Sequence, residues 1–161
     1  MKTKRIILGL GALAGVAALL AACTHEQGRL SFGPDYGLFY NDQGETAALA
    51  YGLPNSDDVA LMLQCPKGSG RVEVSDSARD QAAAAIILTA DGRTTSVPVR
   101  AENSEAGEAK ILSGHLALSA PALQGFRRSG LIQVSNGRAR YSIAVEPAQR
   151  AGVERFFKAC S

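Results

Sequence analysis

The chain of 161 residues carries 17 basic and 15 acidic side chains, a formal net charge of +2 at neutral pH. Three of the basic residues lie within the first five positions, so residues 23–161 hold 14 basic and 15 acidic side chains and a formal charge of −1. Because phosphate binding requires a clustered excess of positive charge, this balance argues against nucleic acid as a partner. The length is sufficient for one domain with a core and too short for two.

The N-terminus has the order of a secretory signal. Lys2, Lys4 and Arg5 precede an uninterrupted run of apolar or small residues from Ile6 to Leu20. The run is shorter than the about 20 strongly apolar residues that cross a bilayer, and glycines and alanines dilute it. The sequence therefore predicts a cleavable signal peptide over residues 1–22 rather than a permanent membrane span.

The signal ends in Leu20-Ala21-Ala22-Cys23, which resembles the lipobox of bacterial lipoproteins. The resemblance implies that the Cys23 thiol receives a diacylglyceryl group, that the bond before it is cut, and that the new amine is acylated. One acyl chain binds a membrane reversibly, so three chains would anchor the protein durably. Thr24 stands where inner-membrane retention uses Asp, which favours the outer membrane, facing the periplasm, in a Gram-negative cell. The alternative is an ordinary signal peptide with a cysteine at its cleavage point.

Residues 23–35 show little apolar periodicity, and we predict that they form the lipidated N-terminus and a short tether. Residues 36–161 are predicted to form a single β-rich domain, because short alternating runs follow one another between turn residues. Three turn sequences predict hairpins: Asn41–Gly44, Asp91-Gly92 and Asn136-Gly137. Closely spaced strands with local hairpins favour an antiparallel β-sandwich or barrel. The predicted strands are residues 37–40, 46–51, 59–65, 71–75, 84–89, 94–100, 110–118, 133–135 and 138–145.

Two segments have helical features. Pro121–Arg127 is predicted to form a single helical turn. At the C-terminus, Pro147 suits the first position of a helix. Apolar residues then recur at helical spacing, which predicts a short amphipathic helix that closes the domain: Val153, Phe156, Phe157 and Cys160.

Two cysteines remain once Cys23 is assigned to lipid. Alternation places Cys65 on the same strand face as Leu61 and Leu63, and helical spacing places Cys160 on the apolar face of the C-terminal helix. In an oxidising compartment this predicts a Cys65–Cys160 disulfide. Two buried free thiols are the alternative.

Candidate catalytic residues are few. The two histidines are His25 in the tether and His115 in a strand whose alternation predicts a solvent-facing imidazole, so a histidine-dependent site would have to use His115. Gly68-Ser69-Gly70 is predicted to be a turn rather than a nucleophile elbow, because a strand and not a helix follows it. Asp57-Asp58 lacks the spaced oxygen ligands of a calcium loop. The sequence predicts no catalytic residue, metal or cofactor, which favours a non-enzymatic protein over an enzyme.

The first hairpin concentrates aromatic residues in a chain without tryptophan. Tyr36, Phe39 and Tyr40, together with Tyr51, are a candidate recognition surface. Packing in the core is the alternative.

A second candidate surface is basic. Arg127 and Arg128, with Arg138 and Arg140 in the following hairpin, are candidates for an anionic partner, against an ordinary solvated face. Residues 23–80 hold 4 basic and 9 acidic side chains and residues 81–161 hold 10 and 6. We predict that this asymmetry is neutralised by pairing across the fold rather than forming a dipolar surface.

The domain is similar to small secreted bacterial β-domains that end in an aromatic pair and a cysteine, here Phe156-Phe157-Lys158-Ala159-Cys160. The motif of lipid-anchored lysozyme inhibitors is not matched residue by residue, so no functional residue is carried over. We expect a lipid-anchored cell-envelope protein that acts as a non-enzymatic binding or assembly module for an envelope protein or cell-wall component. The alternative is an envelope hydrolase or hydrolase inhibitor. A pocket that holds His115 with a carboxylate and a hydroxyl would favour the hydrolase.

Overall fold

The computed structural model describes residues 28–77, 83–103, 110–137 and 139–161. The predicted signal peptide, Cys23, His25 and Arg138 lie outside these ranges.

The described residues form eleven strands, two α-helices and one short 3-10 helix. The strands are β1 (Gly28–Arg29), β2 (Gly37–Gln43), β3 (Thr46–Gly52), β4 (Val59–Pro66), β5 (Arg71–Asp76), β6 (Ala85–Ala90), β7 (Arg93–Pro98), β8 (Arg100–Asn103), β9 (Lys110–Ala117), β10 (Leu131–Asn136) and β11 (Ala139–Ala144). The helices are α1 (Pro121–Ser129), the 3-10 helix (Pro147–Gln149) and α2 (Arg150–Cys160).

The strands form two sheets. The first has the order β1-β11-β10-β6-β7 and the second the order β2-β3-β4-β5-β9-β8. The strand pairs are antiparallel except for β1 and β11, which run parallel. The predicted mainly β fold with a C-terminal helix is confirmed, and of the two predicted architectures the structure is sandwich-like because neither sheet closes into a barrel.

Alternation along the strands builds the core. On β4, Leu61, Leu63 and Cys65 are each less than 4% exposed, as the spacing predicts. The first sheet contributes Ile86, Leu88, Val97, Ile132, Val134 and Ile143 to the same core, and the second sheet contributes Leu49, Val72, Val74 and Leu112. Both helices add their apolar faces, namely Leu123 and Phe126 from α1 and Val153, Phe156 and Phe157 from α2.

One of the three predicted hairpin turns forms at the predicted position, and the other two are slightly displaced. Asp91 and Gly92 have φ values of 51° and 68°, and positive φ at both positions is what a type I′ hairpin turn requires. The first hairpin is tighter than predicted, because β2 continues to Gln43, which pairs with Thr46. In the last hairpin Asn136 still pairs with Ala139, so the turn begins one residue later than predicted.

Helix α1 is longer than predicted, whereas the α-helical part of the C-terminal helix begins at Arg150, after the 3-10 helix that starts at Pro147. Helix α1 extends to Ser129, beyond the predicted turn, and Gly130 ends it with a φ of 70° and an N–H that donates to the Phe126 carbonyl at 2.8 Å. Helix α2 ends against the turn between β4 and β5. There Gly68 and Gly70 donate their N–H groups to the carbonyls of Ala159 and Cys160, each at 2.8 Å. None of the described helices is long and apolar enough to cross a bilayer.

The disulfide between Cys65 and Cys160 is present, so this prediction is confirmed. It joins β4 to α2 across 95 residues of sequence, and both cysteines are fully buried. Together with the two backbone caps, it fixes the C-terminal helix on the core.

The predicted tether needs correction. Gly28 and Arg29 pair with β11, Leu30 donates its N–H to the Arg140 carbonyl at 2.8 Å, and Leu30 and Phe32 pack against the core. Residues 28–35 therefore belong to the domain. Two isolated apolar residues in a mostly irregular segment give no periodicity, which is why the sequence pattern assigns the segment to a tether.

Candidate functional site

A cleft of about 390 Å³ opens at one end of the sandwich. Its walls come from the N-terminal segment, the residues on either side of the β4 start, the end of β5 and the middle of β11. We call it the Asp76 cleft, and it is lined by Leu30, Ser31, Phe32, Gly33, Tyr36, Asp58, Ala60, Asp76, Ser77 and Tyr141. Its volume lies at the lower end of the range of small-molecule sites.

Asp76 is the central polar group of this cleft. It is the last residue of β5, points toward the interior and is only 2% exposed. Its Oδ2 accepts a hydrogen bond from the Tyr141 hydroxyl at 2.9 Å and another from Asn136 Nδ2 at 2.8 Å. Since Asp76 belongs to the second sheet and its two donors to the first, these bonds join the sheets.

The surroundings of Asp76 change its acidity. Burial raises the pKa of Asp76 to about 6, while the hydrogen bonds from Tyr141 and Asn136 act in the opposite direction. No basic side chain among the described residues forms an ion pair with it. Burial, with the Asp76 charge as a second cause, also raises the pKa of Tyr141, so this hydroxyl stays protonated and remains a donor. A carboxyl group with a shifted pKa that lies in a cleft is a recognised indicator of a functional site.

Asn136, which bonds Asp76 but does not line the cleft, has one unpaired polar atom. Oδ1 of Asn136 is fully buried and has no hydrogen-bond partner among the described residues. An unpaired buried acceptor of this kind costs about 1–3 kcal/mol. A donor from a water molecule or a ligand would remove that cost.

Phe32, Tyr36 and Tyr141 line the cleft, and Tyr51 contacts the first two of these rings. The Phe32 ring centroid lies 4.7 Å from Tyr36, 5.5 Å from Tyr51 and 5.1 Å from Tyr141, and the contacts with Tyr51 and Tyr141 are edge-to-face. This aromatic cluster, Phe32, Tyr36, Tyr51 and Tyr141, combines the N-terminal segment with three separate parts of the domain.

The aromatic surface predicted on the first hairpin is divided by the fold, which corrects that prediction. Tyr36 lines the Asp76 cleft with Phe32. Tyr40 faces the interior side of β2, where the Arg155 guanidinium lies 4.7 Å from its ring centroid. Phe39 lies on the opposite face and lines a shallow groove beside residues 52–57. Adjacent residues of a strand point to opposite faces, so Phe39 and Tyr40 cannot share one surface.

Arg127 and Arg128 each form an ion pair within the domain while remaining partly exposed. Arg127 pairs with Glu154 at 2.6 Å and lies over the Phe157 ring, and Arg128 pairs with Asp91 at 2.8 Å. Arg140 is exposed on β11.

The predicted pairing of charge across the fold is wrong for the described residues. The ion pair Lys67–Asp42 lies within residues 23–80, and the pairs of Arg127 and Arg128 lie within residues 81–161. These pairs therefore do not neutralise the acidic excess of residues 23–80 with basic side chains of residues 81–161. Three of the acidic residues, Asp57, Asp58 and Asp76, lie around the cleft and its neighbouring grooves.

The other candidates for chemistry lie elsewhere. His115 is exposed on β9, as its alternation predicts, and its cross-strand neighbour is Glu73. It does not line the Asp76 cleft. Ser69 lies in the turn after β4, where its hydroxyl bonds the backbone of Arg71. Within the described ranges, no group of three or more histidines, cysteines or carboxylates is placed to hold a metal ion.

The sequence contains a signal for the central residues that the prediction did not use. Asp76 has the same parity as Val72 and Val74, and Asn136 the same parity as Val134, so alternation directs both polar side chains inward. A polar residue at an inward position of a strand requires a partner. The contribution of Phe32 has no comparable signal, because it lies outside the strands.

Comparison with protein-family models, curated proteins and solved structures gives no significant match to this chain.

Proposed function

We propose that this protein is a lipid-anchored module of the bacterial cell envelope that binds a partner at the Asp76 cleft without chemical conversion. The observation that carries the binding part is the cleft itself, where Phe32, Tyr36 and Tyr141 line the same space as a buried, hydrogen-bonded carboxyl. Both polar partners of Asp76 hold it in one position, which suits recognition by a fixed group.

The anchor is supported by the lipobox-like residues Leu20-Ala21-Ala22-Cys23. Leu30, which lines the cleft, is seven residues after Cys23, and a chain of that length spans at most about 25 Å. Lipid on Cys23 would therefore hold the cleft close to the membrane, at the outer membrane in a Gram-negative cell. A partner at that surface, such as an envelope protein, is the kind of occupant that this position favours.

The hydrolase alternative has less support. It depends on His115, which is exposed on the outer side of β9 away from the cleft.

The anchor is tested by Cys23→Ser in a Gram-negative host. We expect the wild-type protein to fractionate with the outer membrane and to carry a lipid-modified Cys23 by mass spectrometry. The variant should leave the membrane fraction and lose the lipid. A variant that stays membrane-bound, or a wild-type chain without lipid on Cys23, would contradict the anchor.

The binding site is tested by photo-crosslinking in living cells. A photoreactive amino acid replaces Ser31, which is exposed in the cleft wall, or Ser96, which is exposed on β7 as a matched control. We expect discrete covalent adducts from position 31 and none of the same size from position 96. Adducts that are equal at both positions, or absent from position 31, would contradict binding at the cleft.

A further inference from the structure

We propose that the Asp76 cleft receives a basic side chain of a partner protein, with a guanidinium or ammonium group between the aromatic wall and the acidic groups of the cleft. This inference rests on the proposed binding function and specifies its ligand. The polar side chains that line the cleft are carboxyl and hydroxyl groups: Ser31, Tyr36, Asp58, Asp76, Ser77 and Tyr141.

The charge of the lining has one sign. Asp58 is exposed at the rim and Asp76 lies at the buried end, and the described residues that line the cleft include no lysine, arginine or histidine. A buried carboxylate without a counter-ion gains most from an organic cation that can donate hydrogen bonds. An anionic ligand would instead meet repulsion from both carboxylates.

The Asp76 carboxylate favours the same class of ligand, because it accepts hydrogen bonds and donates none. Its Oδ2 accepts the bonds from Tyr141 and Asn136. A guanidinium group offers five N–H donors and an ammonium group three, whereas a carboxylate or phosphate offers none.

The aromatic wall is the second independent feature. Phe32 and Tyr36 both line the cleft, with ring centroids 4.7 Å apart. Cations bind the faces of aromatic rings, and arginine does so more often than lysine. The volume of about 390 Å³ fits one side chain rather than a folded segment. These features favour arginine over lysine.

The test is an NMR titration of the full chain, purified in mild detergent, with capped arginine amide. Capped citrulline amide is the matched probe, because it has nearly the same shape and no charge. We expect shifts in the resonances of Phe32, Tyr36 and Tyr141, and binding of the arginine probe that is roughly tenfold tighter than that of the citrulline probe. Equal affinity for the two probes would overturn the proposal.

The chain offers a matched pair of variants. Asp58→Asn removes a carboxylate that lines the cleft, and Asp57→Asn removes its exposed neighbour, which does not line it. Both side chains are exposed, so both variants should fold. We expect Asp58→Asn to weaken the arginine probe about three- to tenfold and Asp57→Asn to leave it unchanged. Equal effects of the two variants would overturn the assignment of the site.

Two further probes separate the other occupants. Calcium chloride that shifts the same resonances, with no response to capped arginine, would overturn the organic cation in favour of a metal ion. A cell-wall peptide with a free amine that binds more tightly than capped arginine would overturn the choice of a protein partner. The titrations and the crosslinking can give different results. If no probe binds but position 31 still forms specific crosslinks, the cationic ligand is rejected and the proposed binding function stands.

Discussion

The two ends of the β4–β5 hairpin are built by different physical means. At one end, β4 finishes at a buried disulfide and α2 is held by backbone hydrogen bonds from the β4–β5 turn. At the other end, Asp58 precedes β4, and Asp76 closes β5 with a buried carboxyl that has hydrogen bonds but no ion pair among the described residues. The first end is covalently fixed. The second holds a buried carboxyl with a raised pKa in a cleft, which is the expected location for binding.

The disulfide end should account for the largest single contribution to stability. Removing both sulfurs with Cys65→Ala/Cys160→Ala opens a loop of 95 residues in the unfolded chain, which the chain-entropy model values at about 4–5 kcal/mol. We expect the free energy of unfolding of the full chain, measured with urea, to fall by up to that amount. An unchanged denaturation midpoint would show that α2 is held by packing and its two backbone caps alone.

The Asp76 end should make stability depend on pH. Because the folded pKa of about 6 lies above the ordinary value of 3.8, the folded state binds the proton more tightly than the unfolded state. The resulting stabilisation is complete below about pH 4 and is lost as the pH rises through 6. Two pKa units correspond to about 3 kcal/mol.

Asp76→Asn is the control for this pH dependence. An asparagine at this position retains one oxygen to accept both hydrogen bonds, which converge on Oδ2, but it carries no charge. We expect urea unfolding of the variant to lack the decline between pH 4 and 7. Parallel stability curves for the two proteins would contradict the assignment.

The exposed ion pairs should have the smallest effect. Glu154→Gln weakens the pair with Arg127, whose side chain is 40% exposed, and the Arg127 contact with the Phe157 ring remains. Solvent screening limits such a pair to about 0.5 kcal/mol. We expect a change of that size in urea unfolding, reduced further by salt, and no change for Glu102→Gln on β8, a strand whose residues are all exposed. A loss above about 2 kcal/mol would contradict this expectation and show that the pair stabilises the domain as strongly as a buried interaction does.

The disulfide end can be predicted from the sequence, whereas the Asp76 cleft cannot. The disulfide end follows from two local periodicities, one on β4 and one on α2, and each of them can be read within a dozen residues. The Asp76 cleft brings together residues 32, 58, 76 and 141, and Asp76 also bonds residue 136, so this proximity depends on how the two sheets pack. Alternation can direct Asp76 and Asn136 inward, but it cannot show that they meet.

The aromatic prediction failed for a related reason. Closeness in sequence suggested one surface for Phe39 and Tyr40, whereas the strand sends them to opposite faces and Tyr36 joins Phe32 from outside the hairpin. Local composition identifies which residues are available, and register and sheet packing decide which of them share a site.

The ionisation of Asp76 is the central claim, and carbon-detected NMR of its carboxyl group across a pH series measures it directly. We expect a midpoint near pH 6 in the free protein. We also expect a lower midpoint with saturating capped arginine amide, because a bound cation stabilises the carboxylate. A midpoint at or below the ordinary value near 4 would contradict the raised pKa, and a midpoint that the cation leaves unchanged would contradict the cationic ligand.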